Sequence, residues 1–415
     1  YRYDETTSRK RVNFNTRYKN KKVDGLSYGV NGNFLFNETA SALIWQSYNQ
    51  AFIPIDSSVT TTSGDVYNID PYITFVNSSN NDKHSLRTRY MKIINDNSTK
   101  GADNGQDNKS ETYYTEYQYQ KSIEGWALNW TSGIMNEIVD ATAELFNGRN
   151  YRVNTAFFTQ IDKKFGERFN FSAGARYEQF YLQSDIGFEI DGDLVEFFTT
   201  GKPVFRAGAN YQLGEATYIR SSWGQGYRFP SIAELFITTN VGDIYVYENP
   251  NLKPEEGWSS EVALRQGLKL GEWKGYIDVA AFMMRYQDMT EFSFGPWGTP
   301  GEDGMANLGL GFKSINVGET QVSGIELSVA GSGRLVNNTD INILAGYLYT
   351  DPIVLDPLYV YADSLYLGNY YEASSNNYDY SVEVVNGENY PLLEMPEDYR
   401  QTLKYRHKHQ IKLDL

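Results

Sequence analysis

The chain has 415 residues, with 37 Lys and Arg against 52 Asp and Glu, which gives a formal net charge of −15. This acidic balance argues against a nucleic-acid partner, because phosphate binding needs clustered lysine and arginine. The absence of cysteine excludes a disulfide framework and a thiolate metal site. The mean hydropathy is −0.53, and the longest strictly apolar run covers only residues 279–284. A transmembrane helix is therefore excluded, but a membrane β-barrel is not, because its strands alternate apolar and polar residues.

Strands are the predicted elements along the whole chain. Apolar or aromatic side chains recur at every second position in segments 113–120, 153–161, 169–177, 325–329 and 341–349. This period predicts strands with one apolar face. We expect about 15 strands of about 9 to 13 residues, which suits tilted strands that cross a bilayer. Residues 113–121 and 339–350 should be antiparallel strands whose apolar positions face outward.

The predicted connections alternate between short turns and long polar segments. The short turns are residues 164–167, 212–215 and 269–272, and the long segments are residues 95–111, 136–150, 179–202, 229–257, 288–316 and 351–400. Outer-membrane barrels combine short periplasmic turns with long extracellular loops in this way. A soluble β-sandwich is the less favoured alternative, because its strands usually have five or six residues.

Six aromatic residues near the predicted strand ends should mark the two membrane interfaces. Barrels carry such aromatic girdles at both surfaces of the bilayer, pointing outward. The six residues are Trp126, Trp130, Tyr177, Tyr211, Trp273 and Tyr276.

Four segments carry a resemblance to a known family. Residues 221–231 read SSWGQGYRFPS and continue into AELF, and residues 249–255 read NPNLKPE. Residues 324–327 form a Gly-hydrophobic-Glu strand start, and FFTQ at 157–160 precedes GARYE at 174–178. In this order the segments resemble the barrel of TonB-dependent receptors, with the closest likeness to those of Bacteroidetes-type bacteria. The resemblance covers most of the chain from Arg11 onward.

The resemblance implies an all-β fold, a transmembrane antiparallel up-and-down β-barrel in the bacterial outer membrane. Residues 1–415 would form a partial barrel domain, with about 15 of an expected 22 strands. The plug domain, the TonB-contacting segment, about three early strands and about four late strands would be absent. Neither end of the chain is then expected to be a natural terminus.

The implied function is active, TonB-coupled import of a scarce ligand: an iron chelate, cobalamin, an oligosaccharide or a peptide. The implied partners are outer-membrane lipid, the protein's own plug domain, the TonB-ExbB-ExbD energy-coupling system and the ligand, with a surface lipoprotein as a further candidate. A passive porin of similar size is one alternative, and an upstream plug would distinguish the two. A structural or secretion-linked barrel that binds protein partners is another, because fold does not fix function.

An enzyme is the least supported alternative, and no catalytic residue, cofactor or metal site is predicted. The sequence has no Ser-His-Asp order, nucleophile elbow or HExxH motif. His407 and His409 would share a strand face but lack a carboxylate or thiol companion. Residues 96–111 are rich in oxygen acceptors without EF-hand spacing, so a solvated loop is favoured over a calcium site.

The segment 351–400 is the predicted ligand-binding loop. It holds nine tyrosines and ten acidic residues against one arginine. Tyrosine supplies a stacking face and a hydroxyl at low conformational cost, which suits sugars, aromatic siderophores or peptides. The alternative is a self-packed loop with a solvated acidic rim. The candidate ligand-binding residues are Tyr359, Tyr361, Tyr366, Tyr370, Tyr371, Tyr378 and Tyr380.

Two glutamates are predicted on the inner wall of the barrel. Glu261 and Glu326 each sit beside apolar residues that would face lipid, so both should point into the lumen. One intervening strand would separate them by roughly 10 Å. The resemblance implies that glutamates at these positions contact plug arginines, and Arg228 is assigned to the same plug contact. Both glutamates should then lack a cationic partner on the barrel, whereas the alternative is a wall lined with unspecialised polar groups.

Overall fold

The computed structural model describes residues 7–42, 45–50, 53–55, 59–99, 102–146, 148–190, 193–241, 244–298, 309–334, 339–355, 383–385, 388–390, 401–403 and 407–414. One α-helix, α1 (Ile232–Phe236), and 3₁₀ turns at Tyr48–Gln50, Glu124–Trp126 and Glu144–Phe146 accompany the strands in these ranges. No helix within them is long and apolar enough to cross a membrane. In chain order the strands are β1 (Thr7–Asn15), β2 (Tyr18–Lys19), β3 (Leu26–Ala42), β4 (Val59–Val76), β5 (Lys83–Thr99), β6 (Ala102–Asp103), β7 (Asn108–Ile123), β8 (Leu128–Ala143), β9 (Gly148–Phe165), β10 (Phe169–Ile190), β11 (Asp193–Gly214), β12 (Thr217–Arg228), β13 (Thr239–Val241), β14 (Ile244–Tyr247), β15 (Glu255–Leu270), β16 (Trp273–Gln287), β17 (Thr290–Pro296), β18 (Leu310–Asn316), β19 (Thr320–Arg334), β20 (Asp340–Val354), β21 (Glu383–Val385), β22 (Glu388–Tyr390), β23 (Gln401–Thr402) and β24 (His409–Asp414).

The chain forms two compact units. The first draws on Tyr1–Asn210, Pro230–Leu252 and Gly298–Ser314. The second draws on Tyr211–Phe229, Lys253–Trp297 and Ile315–Leu415, so β11 has residues in both.

The first unit is built on an antiparallel succession of eight strands, β1-β3-β4-β5-β7-β8-β9-β10. Each strand pairs with the next long strand of the chain, which is up-and-down topology. Directly paired residues point to the same face of a sheet, so one row of apolar side chains runs across six strands. All six are between 37 and 57 % exposed: Ile73, Leu86, Tyr117, Ile134, Phe157 and Tyr177.

The second unit repeats this arrangement with six strands, β12-β15-β16-β19-β20-β24. Its corresponding apolar row is also exposed in every strand: Ile219, Leu264, Val279, Leu327, Tyr347 and Ile411. Exposed apolar area this extensive marks contact with another apolar phase. The strands expected at 113–121 and 339–350 are confirmed as parts of β7 and β20. Eight and six strands together with β11 give the expected number of about 15.

The strands are longer than the sequence predicted. β3, β4, β5, β7, β8 and β9 have 16 to 18 residues, and β10 and β11 have 22 each. Segments 136–150 and 179–202 were expected to be loops, but β8 and β9 are separated only by residues 144–147, and β10 and β11 by residues 191–192. Strand pairing therefore continues beyond the length that a bilayer requires, and in β10 and β11 apolar contacts support it, because Tyr181 stacks on Phe197 and both Phe180 and Leu182 are buried.

Strand alternation places three of the six predicted aromatic residues, Trp130, Tyr177 and Trp273, on the face of the exposed apolar rows, and their grouping into two bands stays a prediction. Trp126, Trp130, Tyr177 and Tyr211 are 67, 38, 46 and 42 % exposed. Tyr276 instead lies on the polar face, where the Arg265 guanidinium carbon stands 4.5 Å from its ring centre.

Trp273 lies on the face of the apolar row, in step with Val279 on β16, but is only 5 % exposed. Its indole covers the outward sides of Gly275 and Gly331, which are paired across β16 and β19. A Cβ at either glycine would lie within 2.3 Å of the ring. The two glycines therefore provide the space that buries this side chain.

One end of each unit carries ordered structure between the strands. In the first unit, α1 begins with a capping box in which Ser231 Oγ accepts from Glu234 N at 3.2 Å. The helix buries Leu235 and Phe236, and Thr238 N donates to Leu145 O at 2.8 Å. In the second unit, an apolar cluster lies at the ends of β18 and β20, formed by Ile315, Val317, Val354 and Leu403.

Candidate functional site: the polar face

The polar face of the first unit contains a cavity of about 770 Å³. Strands β3, β4, β5, β7, β8 and β9 contribute to it through residues that alternate with the apolar row. Arg87 and Arg89 flank Thr88, so strand alternation places both on one face. The charged and aromatic residues that line the cavity are Arg87, Arg89, Arg152, Asp70, Glu137, Tyr72 and Tyr114.

Two ion pairs hold the walls of this cavity. Arg89 donates to Asp70 through Nε at 2.8 Å and Nη2 at 3.1 Å, which is the bidentate geometry that suits guanidinium and carboxylate. Asp70 also accepts from Asn68 Nδ2 at 3.0 Å. Arg152 Nη2 donates to Glu137 Oε2 at 2.6 Å. These contacts connect β4 with β5 and β8 with β9, so they fix the guanidinium positions.

Arg87 differs from the other two cavity arginines. It is exposed, and within the described part of the chain no carboxylate lies within ion-pair distance of it. The hydroxyl of nearby Tyr114 donates to Glu116 Oε2 at 2.8 Å, and Tyr114 lines the cavity. The cavity thus offers one uncompensated cation beside an aromatic face, which can bind an anionic or hydrogen-bond-accepting group.

The polar face of the second unit carries a four-residue charge network. Asp278 is 8 % exposed at its side chain and accepts from Arg220 Nη1 at 2.6 Å and Nη2 at 3.0 Å. Arg265 Nε donates to the same carboxylate at 2.6 Å. Arg220 Nε also donates to Glu261 Oε1 at 3.1 Å. One nearly buried carboxylate thus holds two arginines, and one of them also binds Glu261.

The structure places Glu261 and Glu326 on the same polar face. Glu261 pairs with Phe282 and Glu326 pairs with Ala280, two residues further along β16, so strand alternation gives them one direction. Glu326 accepts only from Ser328 Oγ, at 3.2 Å, among the residues that the structure describes. For Glu261, the expectation of no cationic partner on the barrel is wrong, because Arg220 donates to it.

Arg228, the third predicted plug contact, pairs with a residue of its own sheet. Its Nε donates to Glu255 Oε2 at 2.6 Å, and Glu255 Oε1 accepts from Thr290 N at 2.6 Å. This arrangement ties the end of β12 to β15 and β17. Assignment of Arg228, Glu261 and Glu326 to a plug contact stays a prediction.

The other sequence predictions concern the tyrosine loop and the histidines. The seven candidate tyrosines, Tyr359 to Tyr380, lie outside the described residues. His409 Nδ1 lies 2.9 Å from the Tyr347 hydroxyl. Among the described residues, no group of three or more His, Cys, Asp or Glu side chains could hold a metal ion.

The cavity was missed by sequence reasoning although a signal for it exists. Arg87-Thr88-Arg89 and Tyr114-Thr115-Glu116 place charged or aromatic residues at alternate positions that face away from the apolar row. Such a pattern indicates polar-face residues of each strand, but only the register between strands shows which of them meet.

Comparison with known proteins gives one family. Residues 1–408 match the family described as TonB dependent receptor-like, beta-barrel. A hemoglobin and hemoglobin-haptoglobin-binding protein of Haemophilus influenzae is 24 % identical over 131 residues, which cover 31 % of this chain and 13 % of that protein.

Two solved structures show the same fold. The hemophore receptor HasR of Serratia marcescens, in complex with its hemophore HasA and heme, has a TM-score of 0.55 at 15 % identity. The alignment covers 79 % of this chain and 54 % of the HasR chain. The FrpB iron transporter of Neisseria meningitidis has a TM-score of 0.58 at 11 % identity, and the alignment covers 83 % of this chain and 52 % of the FrpB chain. This chain therefore spans about half the length of these solved receptors. The family model matches residues 1–408, and the sheet carries exposed apolar rows on one face and charged residues on the other. This chain therefore belongs to the TonB-dependent receptors, which are transport proteins of the Gram-negative outer membrane, and it represents part of their β-barrel.

Proposed function

We propose that this chain forms the wall of an active importer, in which TonB-coupled movement of a plug admits a scarce ligand across the outer membrane. The polar face carries this proposal, because four of its arginines are fixed by carboxylates at 2.6 to 3.1 Å, namely Arg89, Arg152, Arg220 and Arg265. A wall of fixed charges is suited to hold a folded, charged plug through charge-assisted hydrogen bonds.

The contacts available to a plug differ between the two units. Arg87 offers a cation for an acidic plug residue, and Glu326 offers a carboxylate for an arginine. Glu261 keeps a second carboxylate oxygen for the plug while Arg220 binds the first. A carboxylate in a partly dry lumen that loses its cation is costly, so such contacts favour the closed state.

The favoured ligand class is an iron chelate or haem. The supporting observation is that the similar proteins include a haemoglobin-binding protein, a heme-loaded hemophore receptor and an iron transporter. Cobalamin, an oligosaccharide or a peptide are the alternatives. The tyrosine loop 351–400 is proposed to bind the ligand, because aromatic loops bind while strands carry stability. A surface lipoprotein is a further proposed partner, testable by co-purification with the full-length receptor.

Uptake by the full-length receptor tests the proposal. Cells that express it should accumulate ⁵⁵Fe-labelled haem or chelate, and deletion of tonB should abolish that uptake. Uptake that persists without TonB would support the passive porin instead. Binding of a protein partner with no ligand uptake would support the structural or secretion-linked barrel.

Deletion of residues 357–389 tests whether the ligand binds this loop while the barrel wall supplies stability. We expect uptake to be lost while the barrel still folds, as judged by heat-modifiable mobility on a gel and by surface labelling. Unchanged uptake would move the ligand site to the plug alone.

A further inference from the structure

Two carboxylates on the polar face of the second unit differ in their cationic neighbours. Glu261 of β15 and Glu326 of β19 lie on either side of β16, where they pair with Phe282 and Ala280. Two inter-strand spacings therefore separate their backbones, which is roughly 10 Å. Both side chains point to the same face, so a single body docked against this wall can contact both of them.

Glu261 has a cation fixed beside it. Arg220 Nε donates to Glu261 Oε1 at 3.1 Å, while Nη1 and Nη2 of the same guanidinium donate to Asp278 at 2.6 and 3.0 Å. The bidentate contact fixes the guanidinium, because it consists of two hydrogen bonds to a carboxylate that is only 8 % exposed. Arg220 therefore stays beside Glu261 whatever else that carboxylate binds.

Glu326 has no such neighbour in the described part of the chain. It accepts a hydrogen bond from Ser328 Oγ at 3.2 Å, and no cationic side chain of the described residues lies within ion-pair distance of it. The cations at the level of Ser328 on this face, Arg265 on β15 and Lys412 on β24, each lie two strands away. A hydroxyl compensates a carboxylate less than a guanidinium does, so Glu326 keeps most of its charge for a partner.

We propose, on the basis of the plug contacts described under the proposed function, that Arg220 makes Glu261 the weaker and Glu326 the stronger of two contacts with cationic groups of the plug, so that the wall releases the plug in a set order. When a plug guanidinium or ammonium leaves Glu261, Arg220 already compensates that carboxylate. Departure from Glu326 instead leaves an unpaired charge in a partly dry lumen, which is costly. Glu261 therefore yields first, and Glu326 sets the resistance to opening.

Hydrogen exchange of plug amides in the full-length receptor, reconstituted in lipid nanodiscs, measures how readily the plug leaves the wall. Glu326→Gln should speed this exchange about tenfold or more, because a charge-assisted contact without a substitute is lost. Glu261→Gln should speed it by less than about threefold, because Arg220 already compensates that carboxylate. This pair of variants leaves Arg220 intact, so the comparison decides the proposal even if an Arg220 variant does not fold.

Arg220→Gln should change plug exchange in the opposite direction and slow it, since Glu261 then depends on the plug cation alone. In this background Glu261→Gln should speed exchange as much as Glu326→Gln does. Arg265→Gln is the matched control, because Arg265 also donates to Asp278, at 2.6 Å, but not to Glu261. A loosened barrel would speed exchange in both arginine variants, so slower exchange in Arg220→Gln alone separates the counter-ion role from a structural one.

Two results would overturn the ordered release. One is an equal effect of Glu261→Gln and Glu326→Gln in the otherwise native receptor, and the other is faster plug exchange in Arg220→Gln. Ligand uptake measured in parallel separates this failure from a failure of the proposed function. TonB-dependent uptake combined with either result removes only the ordered release, whereas uptake that persists without TonB removes the importer and the ordered release with it.

Discussion

Replacement of Asp278 by asparagine should destabilise the barrel by about 2 to 3 kcal/mol. The carboxylate is 8 % exposed and accepts three hydrogen bonds from Arg220 and Arg265 at 2.6 to 3.0 Å. Each hydrogen bond to a charged group contributes about 1.5 to 3 kcal/mol, and loss of one partner from a buried pair costs about 3 to 5 kcal/mol. Both arginines are more than a third exposed, so water screens them and the expected loss lies below that range.

Urea unfolding in lipid vesicles, followed by tryptophan fluorescence, measures this loss. Asp340→Asn is the control, because its pair with Arg334 is 3.3 Å long and Asp340 is 72 % exposed, which predicts a change of at most about 0.5 kcal/mol. A double-mutant cycle with Arg265→Gln should give a coupling of about 1 kcal/mol. The reasoning fails if Asp278→Asn and Asp340→Asn shift the midpoint equally, or if the coupling is zero.

Three further changes have defined outcomes. The hydrogen bond from Arg285 holds the pKa of Glu319 below its usual range. The stability that this ion pair contributes is therefore complete above the unfolded pKa of about 4 and is lost as the pH falls through the lower folded pKa. Glu319→Gln should flatten the dependence of the unfolding midpoint on pH below about pH 5. Gly324→Ala should cost about 1 to 3 kcal/mol in the same urea assay, because its Cβ would lie 2.1 Å from a backbone oxygen of the next strand, whereas Gly346→Ala meets nothing within 4 Å and should be neutral. Ser231→Ala should cost about 1 kcal/mol through loss of the α1 capping box, seen as faster hydrogen exchange at 232–236, while Ser231→Asn should preserve protection.

Strand identity and face could be predicted from the sequence because both depend on neighbours along the chain. Tyr113, Tyr117 and Phe157 were placed on an outward face by alternation alone, and all three are exposed. The same logic placed Glu261 and Glu326 on the polar face. A membrane strand has one apolar and one polar side, so the alternation of a few consecutive residues is enough to identify the strand and its outward face.

Strand length and partners across the sheet could not be predicted in the same way. Residues 179–202 hold ten apolar or aromatic residues among 24, and the local sequence does not show that strand pairing continues through them as a hairpin. Arg220 reaches Glu261 and Asp278 from positions 41 and 58 residues away in the chain. Only the strand register brings these groups together, and it depends on the whole sheet.

The length of β10 has a consequence for what the cell surface presents. A strand of 22 residues at about 3.3 Å per residue and about 40° of tilt rises about 55 Å, whereas the apolar band of such a barrel is about 25 Å tall. Its upper part continues as a ribbon with β11, in which Tyr181 stacks on Phe197 with ring centres 5.8 Å apart and Thr199 Oγ1 donates to Phe180 O at 3.0 Å. Antibodies and phages that bind this hairpin would then contact paired strands. Epitopes there would be conformational, and denatured protein or short linear peptides would raise antibodies that fail to recognise living cells.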